Sequence, residues 1–196
     1  MIKKLTKQIM ETAFNEVGRL AAERGLMLEI AVFGGSCLIL ASSIRESSGD
    51  VDAVFLNNRT AAYEIIKSVA HNLSLPSDWL NEGVKRMAFP PGNPGPNLFP
   101  YGDYPKDVST TVGLRVLLPS PEYMLAMKLL ASRAPEDVEK IRSDREDMIG
   151  LMSITGIKTA GALESLMNEV YPEVPGLTNP ISAKNEISHR SHGENL

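Results

Sequence analysis

Cysteine occurs once among the 196 residues, at Cys37. That excludes an internal disulfide and any metal site built on several thiolates. Cys37 sits in the apolar run Cys37-Leu38-Ile39-Leu40-Ala41, so a buried thiol in a reducing, cytoplasmic compartment is expected. Histidine is almost as scarce. His189 and His192 fall in a polar stretch with no other ligand near and read as solvated, and the third is His71. No apolar run is long enough to span a bilayer, so no membrane partner is expected. Met1-Ile2-Lys3-Lys4 leads into an amphipathic pattern and not into the apolar core of a signal peptide. Basic charge is not in excess either: the net charge is −4. That argues against a surface coated for nucleic acid, while leaving room for a local basic patch. No internal repeat is present. Hydrophobic residues make up 43% and charged residues 22%, an ordinary globular composition for one domain or one domain with a helical appendage.

The informative stretch begins at Phe33-Gly34-Gly35-Ser36. An apolar segment from Leu26 to Phe33, with β-branched Ile30 and Val32, precedes it as a strand; Cys37 to Ala41 follow as the buried face of a short helix. Glycines at a strand-to-helix turn let the backbone approach a ligand closely. Free N–H groups at the start of a helix suit phosphate. The next strand opens with Asp50-Val51-Asp52. Residues two apart on a strand share a face, so both carboxylates point the same way. They repel unless a cation sits between them, and Mg²⁺ is the cation that takes carboxylate and phosphate oxygens together. A phosphate cradle beside a paired-carboxylate metal site is an arrangement for phosphoryl or nucleotidyl transfer.

Gly34-Gly35-Ser36, a short helix, then Asp50-Val51-Asp52 and an apolar run resemble the signature of the nucleotidyltransferase superfamily with the DNA polymerase β-like palm. Arg45 and Ser47-Ser48-Gly49, ahead of the carboxylates, are similar to a small bacterial branch that includes the AbiEii-type toxins of toxin–antitoxin pairs. The resemblance implies an α/β (α+β) palm with a mixed sheet over residues 1–118 and a C-terminal helical subdomain over 119–171. It implies Mg²⁺-dependent transfer of a nucleoside monophosphate from an NTP to a hydroxyl of RNA, tRNA, a protein or a small molecule. A cognate antitoxin is the implied protein partner. Gly34, Gly35 and Ser36 would hold phosphates, and Asp50 and Asp52 would hold the metal. The pattern Lys128-x-x-Ala131-x-Arg133, then Asp144-x-x-Asp147, resembles the second motif of the same branch. By that likeness Lys128 would neutralise the triphosphate, helped by Arg45 or Arg133.

The rest of the chain supplies the frame. Leu5, Ile9, Ala13, Val17, Leu20 and Ala21 recur at helical spacing over about 4–24, and Gly25 suits the left-handed residue that ends the helix. Thr60 is a candidate cap for a second helix over about 61–73. Trp79, in a short helix, is a core anchor or, on the sharper reading, a base-stacking group, and the run Trp79-Leu80-Asn81 also resembles the small bacterial branch. Phe89 to Pro105 holds six prolines, so neither helix nor central strand is expected there, and the stretch reads as a lid. Phe99, Tyr101 and Tyr104 would pin it down or close over a base. A strand over about 108–118 follows. Polymerase β-like palms place a third carboxylate on a later strand, but Thr111, Gly113, Arg115 and Leu117 offer none. Ser120-Pro121-Glu122 opens a helix to about Ser132, and Ala134 opens another to about Met152. Asp144 and Asp147, at i and i+3, share a face. They would hold Lys128 or Arg133 in place, or form a structural ion pair between two packed helices. Thr159 opens a last helix, and 172–196 reads as a mobile tail.

The missing third carboxylate also suits a catalytically degenerate palm that binds a nucleotide or a protein partner. A dinucleotide-binding fold fits less well: it wants a third glycine and one acid at a strand end.

Overall fold

The computed structural model describes residues 4–107, 111–132 and 138–172. The chain opens with a two-residue strand, β1 (Leu5–Thr6), and helix α1 (Lys7–Glu23). The Thr6 hydroxyl accepts from the Ile9 N–H and caps α1, meeting one of the donors a helix start leaves unpaired. Gly25, at φ +67, turns the chain out of the helix as expected. Then come β2 (Leu28–Val32), α2 (Gly34–Ala41), β3 (Ser47–Ser48), β4 (Val51–Phe55), α3 (Arg59–Asn72), β5 (Leu80–Asn81), α4 (Lys85–Ala88), β6 (Leu98–Tyr104) and β7 (Leu114–Pro119). Helices α5 (Pro121–Ala131), α6 (Val138–Thr155) and α7 (Ala160–Val170) complete the order.

The architecture is mixed α/β. Five strands form one sheet in the order β5-β4-β2-β7-β6, while β1 and β3 pair separately. β2 lies at the centre, antiparallel to β4 and parallel to β7. Its sequence suits that place, since Leu28, Ile30, Ala31 and Val32 are buried on both faces. Along β4 the alternation sends Val51, Ala53 and Phe55 to one face and Asp52 and Val54 to the other. The Phe55 ring meets Tyr63 of α3 edge-on at 5.0 Å, which identifies the first face as the one covered by α3. α1 packs on α3, β6 and β7, with Met10, Phe14 and Val17 buried. Asp52 therefore points to the opposite face, toward α5.

Trp79 is fully buried against Phe14 and donates its indole N–H to the Ile66 carbonyl at 3.3 Å. It is the core anchor. It lies in a turn before β5 and not in a helix.

The expected lid is shorter than its prolines suggest. Leu98–Tyr104 is a strand, because it runs at the sheet edge where Pro100 need not donate to a neighbour. The register shifts between Pro100 and Gly102, a bulge that accommodates the proline. Tyr104 is in the core, Tyr101 donates its hydroxyl to Glu11, and Phe99 is exposed. The first two pin the strand down. α3 also begins earlier than expected, at Arg59: Asn58 takes the left-handed conformation, φ 43, and Thr60 lies inside the first turn. The Asn57 amide meanwhile ties this turn to β2, accepting from the Glu29 N–H and donating to the Met27 carbonyl. Ser120 caps α5 and Thr159 caps α7 as their sequences require. Arg133, the expected start of α6 at Ala134 and the tail beyond Pro172 lie outside the described residues.

Candidate functional site

The antiparallel pairing of β2 and β4 brings the end of one to the start of the other, with Val32 opposite Ala53. The Phe33 N–H donates to the Asp52 carbonyl at 2.8 Å, and α2 springs from that point. Gly34 has φ +62, and a Cβ there would stand 2.5 Å from Asp52 Oδ2. Only glycine lets the helix begin against this carboxylate. A Cβ on Gly35 would stand 2.9 Å from an Arg45 guanidinium nitrogen, so Arg45 lies across the first turn of α2. The Ser36 hydroxyl is buried and donates to the Asp50 carbonyl at 2.6 Å. Ser36 therefore ties the Asp50 loop to α2, and its hydroxyl is committed to that bond. Its backbone N–H, with those of Gly34 and Gly35, lies in the first turn, where no helix partner exists.

A polar cavity of about 580 Å³ opens over this junction, within the usual size of a small-molecule site. Gly34, Gly35, Arg45, Asp50, Asp52, Lys128 and Asp144 line it, joined by Lys4, Lys140 and Arg142 at the wall. Basic groups thus surround an acidic pair. Burial and then the charge of Asp50 push the Asp52 carboxyl up to about 6, against the pull of Lys128 and Lys140. Asp50 is held from the other side: the Asn81 side-chain amide donates to its Oδ2 at 2.8 Å.

Lys128 is 9% exposed. Its ammonium meets Asp144 Oδ1 at 2.6 Å and Asp147 Oδ2 at 2.8 Å. Arg45 donates to the same Asp147 oxygen at 3.0 Å and to the Ser47 carbonyl at 2.9 Å. Two cations and two carboxylates therefore clamp α5, α6 and the segment after α2 together. The pairing meets the cost of burying these charges. Lys128 and Asp144 remain on the cavity wall, with Asp147 behind them. Gly34, Gly35, Ser36, Arg45, Asp50, Asp52, Lys128, Asp144 and Asp147 all meet at this junction; Arg133 lies outside the described residues.

Residues the sequence did not flag also reach it. Below Lys128 an apolar chamber of about 260 Å³, lined by Val84, Met87, Met124, Met127 and Ala131, shares Gly34 and Asp52 with the polar cavity. Met124 and Met127 sit three apart on α5, a spacing that from sequence reads as ordinary core. Asn81 stood in the sequence only inside Trp79-Leu80-Asn81, a run similar to the small bacterial branch, with no role of its own. β7, where Arg115 and Leu117 offered no acid, also stands apart from the pair. β7 lies on the far side of β2 from β4, and its Arg115 pairs with Asp103 and Glu29. On the other side of β4 from β2 lies β5, which sets Asn81 opposite Asp52. Among the described residues no group of three or more acidic, histidine or cysteine side chains is placed to hold a metal. Cys37 is buried on α2, and burial pushes its thiol up to about 12. No helix among the described residues is long and apolar enough to cross a membrane.

Comparisons with protein-family models, with curated proteins and with solved structures find no match for this chain.

Proposed function

We propose that this chain is a Mg²⁺-dependent nucleotidyltransferase that moves a nucleoside monophosphate from an NTP to a hydroxyl acceptor, with pyrophosphate leaving. One observation carries the reading: Gly34 seats the open start of α2 directly against Asp52, so anion-binding N–H groups and a carboxylate pair share one cavity. The pair fits a hard cation, because burial and mutual repulsion leave Asp52 short of positive charge. Asp50 and Asp52 would hold Mg²⁺, which when bound neutralises phosphate charge and polarises the phosphoryl oxygen.

The protein's own part is positioning. The N–H groups of Gly34 and Gly35 orient phosphate oxygens. Arg45, fixed by Asp147 and Ser47, keeps its guanidinium over the same turn. Lys128, fixed by two carboxylates, adds a directed positive charge at the cavity wall. Preorganised charges of this kind lower a barrier without reorganising during the reaction. RNA, tRNA, a protein hydroxyl or a small alcohol is the acceptor class, and an AbiEii-like toxin held by an antitoxin is the biological role the motifs favour.

The test is incubation of the chain with each NTP, labelled at the α-phosphate, Mg²⁺ and total cell RNA or protein. Label should move to one acceptor pool with release of pyrophosphate, and Asp50→Asn and Asp52→Asn should abolish it. Full activity in both variants, or no transfer from any NTP, overturns the reading. Asn81 favours a second reading, a palm that binds a nucleotide without turning it over, since β5, on the outer side of β4, sets an amide and not an acid beside the pair. Under it, NTP is retained and no pyrophosphate appears.

A further inference from the structure

Asn81 is not one of the acidic pair, yet it is bonded into it. β5 runs parallel to β4 with Asn81 in register with Asp52. The Asn81 Nδ2 donates to Asp50 Oδ2 at 2.8 Å, and its Oδ1 accepts the Gly83 N–H at 2.8 Å. The second bond settles the orientation of the first. A backbone N–H needs an acceptor, so the carbonyl end of the amide faces Gly83 and the NH₂ end faces Asp50. Asp50 is also held through its main chain by Ser36, so both its backbone and its carboxylate are fixed.

Charge follows from the same geometry. An aspartate at this position would set an oxygen 2.8 Å from Asp50 Oδ2, where a donor now stands. Three carboxylates would then share the junction, and their repulsion calls for more than one divalent cation. With an amide there, the two negative charges of the pair are matched by the two positive charges of one ion. We infer that Asn81 is a positioning residue that aims the Asp50 carboxylate and limits the acidic pair to a single divalent cation of the protein's own, any second ion arriving with the triphosphate. The inference rests on the metal-binding role of Asp50 and Asp52 in the function proposed above.

The experiment counts ions without nucleotide. Mn²⁺, a countable stand-in for Mg²⁺, is titrated into the full chain and the bound fraction read by electron paramagnetic resonance. The wild type should bind one ion. Asn81→Asp should bind two. Asn81→Ala should still bind one, about tenfold or more weakly, as when an outer hydrogen bond to a metal ligand is lost. In EDTA, Asn81→Asp should melt below the wild type and recover with Mn²⁺, because only the metal relieves three crowded carboxylates. Two ions on the wild type overturn the inference while leaving the acidic pair as a metal site. A single ion on a folded Asn81→Asp overturns it too, and so does unchanged affinity in Asn81→Ala. Should Asn81→Asp fail to fold, Asn81→Ala alone decides the positioning claim. No ion on the wild type overturns the metal reading itself, which the Asp52→Asn transfer assay would then confirm independently.

Discussion

Two residues at the junction carry opposite demands, and both can be tested. Gly34 has to be glycine twice over: for its φ of +62 and for the 2.5 Å left between its absent Cβ and Asp52 Oδ2. A left-handed conformation costs an ordinary residue about 1–2 kcal/mol, and Gly34→Ala adds the displacement of Asp52. A urea melt of Gly34→Ala should show a loss of at least that size, together with weakened cation binding; wild-type stability would contradict the close approach. Asp52 sets a pH dependence with a definite sign. Its carboxyl is raised from 3.8 to about 6, chiefly by burial. Between those values the folded protein keeps a proton that the unfolded chain has already released. The stability this group contributes is therefore present below 3.8 and lost as pH rises through about 6. In EDTA the melting temperature should fall across that window in the wild type. Asp52→Asn, uncharged throughout, should flatten the fall and melt higher at about pH 8. Parallel profiles for the two proteins would remove Asp52 as the cause.

Among the elements, the clamp between α5 and α6 decides what Lys128 does. Lys128→Met keeps the apolar stem and leaves Asp144 without its cation, while Asp147 keeps Arg45. Breaking a buried pair costs about 3–5 kcal/mol, and the surviving Arg45 contact places this change toward the lower end. Denaturant unfolding measures it, and Lys128→Met combined with Asp144→Asn should recover part of the loss. A variant as stable as the wild type would make Lys128 a ligand group and not a clamp. The clamp was half legible in the sequence. The i, i+3 spacing of Asp144 and Asp147 and a lysine between Met127 and Leu129 announced a paired cation, but the second partner, Arg45, is distant in sequence and came only with the fold. Helix ends were legible because capping is local: Gly25, Ser120 and Thr159 each stand where the structure uses them. β6 was not, because a proline is acceptable in a strand only at an edge, and edges are set by the whole sheet. β5 was missed, and Asn81 was noted in the run Trp79-Leu80-Asn81 but given no role, for a related reason. A two-residue strand has no period to read, and its importance comes from the neighbour it pairs with.

At the scale of the whole molecule, the sequence divides near residue 118 into a sheet-bearing part and a helical part, but the apolar interior does not divide there. Tyr123, Met124 and Leu125 of α5, Leu166 and Met167 of α7, and Tyr171 belong to the same buried cluster as Phe33, Val54 and Leu118. Two hydroxyls stitch the halves: Tyr123 donates to the Ala88 carbonyl at 2.7 Å and Tyr171 to the Met87 carbonyl at 3.1 Å. Removing the helices would expose this apolar face and leave both carbonyls to water, so a chain ending after Pro119 should not fold alone. The full chain should unfold in one transition. Trp79 makes the comparison simple, since it is the one tryptophan and sits against Phe14, on the α1 face and away from α5. Its fluorescence reports the sheet and the helices beneath it, while circular dichroism at the helix band is weighted toward the helices, α5 to α7 included. In a shared core the two signals should fall together at one denaturant concentration, as two-state unfolding requires. Mg²⁺ with an NTP should shift both curves by the same amount, because the cavity is walled by α2, β4 and α5 at once. Loss of helix signal ahead of the tryptophan change would show α5 to α7 to be a separately melting unit, and would place the junction of Asp52 and Lys128 at an interface that opens before the fold does.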